Sequence, residues 1–132
     1  MRTAIDSSVL LAIFNAEADA RSWLKLLMEA RREGRLLICD VVYAEIAPAF
    51  ASPADLDEAL RKLGVTLEPL GPAAAWRAGI TFRKYRVEGG PRTRMIPDFL
   101  IAAHARLQAD QIAAKDRGYL RRYFSDLRCR QP

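Results

Sequence analysis

The sequence predicts an α/β fold built on a mostly parallel sheet of four to five strands. Short apolar runs alternate with stretches of helical periodicity, the pattern of a parallel sheet covered by helices. Residues that begin and end helices stand at the borders of these stretches. The chain has 132 residues, is 51% hydrophobic, and contains no repeat or linker. These features predict a single domain over residues 1–132.

The first half of the chain supplies three strands, each followed by helical sequence. Trp23, Leu26 and Leu27 repeat at helical spacing, and the glycines Gly34 and Gly64 end their helices. In order, we expect a strand at Arg2–Ile5, helices at Ser7–Asn15 and Ala18–Arg32, a strand at Leu36–Cys39, a helix from Asp40 to about Phe50, a helix at Ala54–Leu63 and a strand at Val65–Leu67.

The second half continues the alternation with a more basic composition. Pro72 and Pro97 stand where helices begin, and Gly89-Gly90-Pro91 breaks the chain between them. In order, we expect a helix from Ala73 to about Val87, a helix at Asp98–Ala109, a strand at Gln111–Ala114, a short basic helix after Asp116 and an edge strand at Leu127–Cys129.

Charge is divided unevenly along the chain. The net charge is +5, yet residues 1–76 carry 8 basic and 11 acidic side chains, whereas residues 77–132 carry 13 and 5. A basic half suggests a polyanionic partner such as nucleic acid, although a solvated surface would look the same. Of the 21 basic residues 17 are arginine, a bias that a GC-rich genome would also produce.

Four carboxylates fall at the edge of the predicted sheet where strands end and helices begin. Asp6 follows the first strand, Glu45 lies in the helix after the second, Asp98 begins a helix, and Asp116 follows the fourth strand. Ligands of parallel sheets bind at this edge. Converging carboxylates repel each other unless cations are present, so a hard divalent ion, Mg²⁺ or Mn²⁺, is expected there. Such a site beside a basic surface suits phosphodiester cleavage.

Several other classes are excluded by the residues. Cys39 and Cys129 lack disulfide or zinc spacing and fit a reducing, cytoplasmic setting; the N-terminus is not a signal peptide, and no apolar run reaches membrane-spanning length. Position 8 is serine, where a haloacid-dehalogenase-type phosphatase needs aspartate, and the acidic pair of a receiver domain is absent. No phosphate-binding glycine motif occurs.

Four segments together resemble the PIN domain family, specifically its VapC-like toxins of toxin–antitoxin pairs. They read AIDSSVLLAIF, VVYAEIA, IPDFLIAAHA and IAAKDRGYLRRYF, in this order over nearly the whole chain. The resemblance implies a three-layer α/β/α domain with strand order 3-2-1-4-5. It also implies a Mg²⁺- or Mn²⁺-dependent endoribonuclease that forms a homodimer and is inhibited by an antitoxin. Ala114 stands where many relatives carry Thr or Ser.

The resemblance assigns catalytic roles to the four acids and the role of polar helper to Ser8. Asp6, Asp98 and Asp116 are the expected metal ligands. An antitoxin is expected on the apolar helical surface of residues 41–63. We further expect basic residues near the acids to hold RNA phosphates; these are Arg92, Arg94, Lys115, Arg117 and Arg121.

The remaining aromatic and histidine residues are interpreted as packing residues. His104 lies about 9 Å along its helix from Asp98, and Trp23, Trp76, Phe82, Tyr85, Tyr119 and Tyr123 recur at helical spacings. Two alternatives to the toxin stay open. One is a PIN nuclease that processes RNA without an antitoxin; the other is a PIN-like binding module without activity.

Overall fold

A computed structural model of the chain describes residues 1–91, 95–115 and 118–132. It contains a five-stranded parallel sheet in the order β3-β2-β1-β4-β5, which confirms the predicted fold class and strand order. The strands are β1 (Arg2–Ile5), β2 (Arg35–Ile38), β3 (Val65–Leu67), β4 (Gln111–Ala113) and β5 (Arg128–Arg130).

Helices join consecutive strands. They are α1 (Ser7–Phe14), α2 (Ala20–Glu33), α3 (Asp40–Ile46), α4 (Pro53–Leu63), α5 (Pro72–Val87), α6 (Ile96–Gln108) and α7 (Tyr119–Tyr123). The predicted helix from Asp40 to Phe50 is shorter than expected: it ends at Ile46, and a 3-10 turn covers Ala47–Ala49. Pro48 explains the change because proline cannot donate the hydrogen bond that an α-helix needs there.

The strand order determines which helices share a face. The chain moves outward from β1 through β2 to β3, then crosses to the other side of β1 to form β4 and β5. Because parallel crossovers are right-handed, the reversal places α5, α6 and α7 on the face opposite to α1–α4. The sheet therefore lies between two helical layers, and the order reverses between β1 and β4, where parallel sheets bind ligands.

The buried strands and the inner helix faces form one hydrophobic cluster. Phe99 is fully buried at a centre of ring contacts, 5.2 Å from both Phe82 and Tyr85 and 5.8 Å from Tyr119, measured between ring centroids. Trp76 departs from the expected packing because it is 73% exposed. The buried face of its helix carries Ala74, Ala78 and Tyr85, and Trp76 points away from that face.

Candidate active site

The end of β1 places the first acid at the point where the strand order reverses. The backbone N–H of Asp6 donates to the carbonyl of Ala113, which holds the end of β1 against β4. Asp6 is also the N-cap of α1: its Oδ2 accepts hydrogen bonds from the backbone N–H (3.1 Å) and the hydroxyl of Ser8. Both contacts orient the carboxylate of Asp6.

The start of α6 brings the second acid to the same cavity. Asp98 occupies the third helical position, and its Oδ2 accepts the N–H of Met95 at 3.2 Å. Asp98 therefore also serves as a helix-start residue, one of the alternatives for an acid at this position. Asp6 and Asp98 line one cavity of about 190 Å³, which we call the acid cavity. Its other described lining residues are Ser7, Ser8, Leu11, Lys115 and Tyr119.

Glu45 reaches this site through a neighbouring hydroxyl. It lies on α3, and its Oε1 accepts a hydrogen bond from the Ser7 hydroxyl at 2.9 Å. The residue as a whole is exposed, although its carboxylate is turned towards Ser7. Ser7 was not predicted as a site residue, although its position directly after Asp6 was a usable signal.

Neighbouring acids contribute to the raised pKa values of Asp6 and Glu45. Burial raises the pKa of Asp6, the Ser8 hydrogen bonds lower it, and the charge of Asp98 raises it further. The pKa of Glu45 is also raised, first by burial and then by the charges of Asp6 and Asp98, against the lowering effect of Ser7. Among the described residues, the acids at this edge of the sheet therefore raise the pKa of Asp6 and of Glu45.

These observations fit a hard divalent cation. The donors are carboxylate oxygens, the ligands that Mg²⁺ and Mn²⁺ prefer, and a cation would relieve their repulsion. Among the residues that the structure describes, no three acidic, histidine or cysteine side chains lie close enough together to hold a metal ion. The fourth predicted acid, Asp116, lies outside the described residues.

Of the five predicted RNA-contacting residues, the structure describes two, and they line different cavities. Lys115 lines the acid cavity, and its Nζ lies 3.1 Å from Asp19 Oδ2 and 3.7 Å from Glu17 Oε1. Glu17 and Asp19 therefore anchor this lysine. Arg121 lines a different cavity, beside Phe124 and Ser125. Arg92, Arg94 and Arg117 lie outside the described residues.

Two further predicted packing residues are clarified by their contacts. Tyr119 packs against Phe99 and also lines the acid cavity, which the sequence did not indicate. His104 is buried, and its Nε2 lies 3.7 Å from Glu68 Oε1. Burial lowers the pKa of His104, whereas the charges of Glu68 and Asp40 raise it. His104 does not line the acid cavity, in agreement with a packing role.

The described residues contain no helix that is both long enough and apolar enough to cross a membrane.

Comparisons with known proteins find solved structures that resemble this chain. Three similar solved structures are VapBC2 from Rickettsia felis bound to a promoter DNA fragment (TM-score 0.77, 15% identity), VapBC-1 from nontypeable Haemophilus influenzae (0.73, 20%) and DNA-bound VapBC from Salmonella typhimurium (0.61, 16%). The alignments cover 98%, 99% and 98% of this chain and 98%, 98% and 97% of those chains, respectively.

The TM-scores of these three structures establish a shared fold. No curated protein matches the sequence. The model of the PIN domain family matches residues 3–125, nearly the whole chain. The chain therefore belongs to the PIN domain family.

Proposed function

We propose that this chain is a metal-dependent endoribonuclease that acts as the toxin of a toxin–antitoxin pair in the cytoplasm. The observation that carries the proposal is that Asp6 and Asp98 line one cavity at the switch point of the sheet, with Glu45 joined to this cavity through Ser7. Asp6, Asp98 and Asp116 would hold Mg²⁺ or Mn²⁺, which supplies charge stabilisation at the phosphate and activates water for hydrolysis.

The surrounding side chains would prepare the acids for this reaction. Ser8 orients Asp6, and Ser7 orients Glu45. Because its pKa is raised, Glu45 is suited to take up or release a proton at the edge of the site. Lys115 brings positive charge to a cavity that would otherwise repel a polyanion.

The partner part of the proposal rests on the resemblance and on the three structural neighbours, which are VapBC structures. An antitoxin would cover the helical surface of residues 41–63 and direct an arginine towards the acids, because a carboxylate cluster attracts a guanidinium. The toxin would form a homodimer, and a larger assembly with its antitoxin.

The test uses the purified chain with RNA and Mn²⁺. We expect cleavage at internal sites, loss of cleavage in EDTA, and loss of most cleavage in Asp98→Asn, which keeps the side-chain volume. Activity that survives complete chelation contradicts the metal mechanism. No cleavage under any divalent ion would favour the binding module.

Expression in cells separates the toxin from a processing nuclease. We expect the chain to arrest growth when expressed alone, and a small protein encoded beside it to relieve the arrest. RNA cleavage in vitro without toxicity, together with purification free of any partner, would favour the processing nuclease.

A further inference from the structure

We infer that a second cavity, between α5 and the start of α6, is a subsite for an unpaired nucleobase of the RNA substrate. The inference rests on the proposed ribonuclease function and specifies where part of its substrate binds. We call this the aromatic cavity; it has a volume of about 320 Å³. Its main lining residues are Phe82, Tyr85, Arg86, Pro91, Met95 and Ile96.

The lining of the aromatic cavity has the chemistry of a base-binding site. The Arg86 guanidinium carbon lies 5.9 Å from the ring centroid of Phe82, so a cation and an aromatic ring are adjacent. Bases of single strands stack on aromatic rings and on arginine planes, whatever their sequence. The volume is at the lower end of the range for small-molecule sites.

One wall of the cavity is preformed. The Tyr85 hydroxyl donates to the carbonyl of Pro91, which ties the end of α5 to the following loop. A Cβ atom at Gly90 would lie 2.4 Å from the ring of Tyr85, so this close approach needs glycine. The opposite wall is open, because Met95 is 58% and Ile96 37% exposed although both are apolar.

The charge of the residues beside the aromatic cavity favours RNA over a protein as the molecule that binds there. Arg83, Lys84 and Arg86 are all exposed on the last turns of α5. Among the described residues, none of the three has an acidic partner within ion-pair distance. A second copy of the chain would bring the same cations towards one another, whereas a phosphate backbone would neutralise them.

The position of the cavity connects it to the acids. Ile96 and Asp98 are neighbours in the first turn of α6, about 3 Å apart along the helix axis. Ile96 lines the aromatic cavity, and Asp98 lines the acid cavity. Side chains two positions apart point to nearly opposite sides of a helix, so the two cavities flank the start of α6, and a strand that follows this end of the helix would reach both.

Fluorescence anisotropy in EDTA measures RNA binding apart from cleavage. The probes are a labelled single-stranded RNA of mixed sequence and an oligomer of the same length with abasic positions. Phe82→Leu is the main variant because it removes the aromatic face but keeps most of the volume. Phe14→Leu is the matched control, since Phe14 is also half-buried and paired with another ring, that of Phe50 at 5.0 Å.

We expect Phe82→Leu to weaken binding of the base-containing RNA at least about fivefold, the loss of one stacking contact. Binding of the abasic oligomer and the salt dependence should stay unchanged. Arg86→Ala should also flatten the slope of log affinity against log salt by about 0.7, because it removes a cation. The Phe14→Leu control should bind both probes like the wild type.

Equal binding of the base-containing RNA by Phe82→Leu and the wild type overturns the subsite. If Phe82→Leu instead disrupts self-association or antitoxin binding, the cavity is a protein interface. Melting curves identify a variant that fails to fold, and Ile96→Ala then tests the opposite wall. Mn²⁺-dependent cleavage by the wild type is measured separately, so failure of the subsite is distinguishable from failure of the ribonuclease proposal.

Discussion

Ser7 and Glu45, 38 positions apart in the chain, are joined by a hydrogen bond of 2.9 Å from the serine hydroxyl to the carboxylate. The bond connects the start of α1 to α3, beside the acid that ends β1. No short spacing in the sequence links the two residues. Their contact arises because β1 and β2 are neighbours in the sheet, so the helices that follow them begin side by side.

The first prediction concerns this hydrogen bond. Ser7→Ala removes the donor and leaves Glu45 without a fixed orientation, while Asp6 and Ser8 keep their contacts. Loss of such a supporting contact at a metal site typically lowers activity about 10- to 100-fold. The measurement is the rate of RNA cleavage with saturating Mn²⁺. Ser7→Thr, which keeps the hydroxyl, should recover most of the rate, and equal rates for Ser7→Ala and the wild type would remove Ser7 from the site.

The second prediction separates stability from activity at Asp6. Burial raises the pKa of this carboxyl, so its ionised form opposes folding at neutral pH, and stability rises as the pH falls through the raised pKa. Asn keeps the cap geometry without the charge. In EDTA at pH 7.5 we therefore expect Asp6→Asn to have a higher Tm than the wild type, together with lost cleavage. A lower Tm would show that the charge stabilises the fold.

The third prediction concerns metal binding. Mg²⁺ or Mn²⁺ that binds only the folded chain raises its Tm as the ion concentration increases. We expect this rise in the wild type and a much smaller one in Asp98→Asn. The readout is a thermal melt over micromolar to millimolar ion, with Asp57→Asn as the control because that exposed acid lies on α4. An equal rise in Asp98→Asn would exclude Asp98 as a ligand.

The fourth prediction concerns Lys115. Lys115→Met keeps the length of the side chain and removes the charge, so RNA binding should weaken and the salt slope should flatten by about 0.7. Asp19→Asn breaks the 3.1 Å ion pair but leaves the lysine charge in place. If Lys115 contacts phosphate, the salt slope of Asp19→Asn should stay at least as steep as that of the wild type. If the salt dependence of RNA binding is unchanged in Lys115→Met, Lys115 does not contact phosphate. Its role is then only to hold the loop before α2 through its ion pairs.

The fifth prediction concerns pH and His104. Burial lowers its pKa, so the unfolded chain takes up a proton more readily than the folded chain does. Its contribution to stability is therefore complete above the unfolded pKa of about 6.5 and is lost as the pH falls towards the lower, folded value. Denaturant unfolding of the wild type should show this loss, and His104→Gln should show less of it.

Glu68 and Asp40 face His104 and oppose the effect of burial on its pKa. Carboxyl groups elsewhere in the chain also titrate, so the informative quantity is the difference between the two pH profiles. Parallel profiles for the wild type and His104→Gln would contradict the lowered pKa.

Much of the architecture was predictable because it follows from local pattern. The strands needed only short apolar runs, and helix limits followed from Pro72, which begins α5, and from Gly64, which is left-handed and ends α4. The end of α3 at Ile46 depended on a single proline, and the exposure of Trp76 could not be seen in its spacing. Helical periodicity identifies the faces of a helix, but it does not determine which face the rest of the chain covers.

Part of the candidate site was also predictable from the sequence, and part of it depended on the tertiary structure. The sequence by itself predicted which acids lie where strands end and helices begin, because these ends share one edge of a parallel sheet; Asp6, Asp98 and Glu45 were predicted on this basis. Only the tertiary structure decided that Ser7 holds Glu45, that Glu17 and Asp19 anchor Lys115, and that an aromatic cavity lies between α5 and the start of α6. These contacts join residues far apart in the chain, and their geometry depends on how helices pack across the sheet rather than on any local spacing.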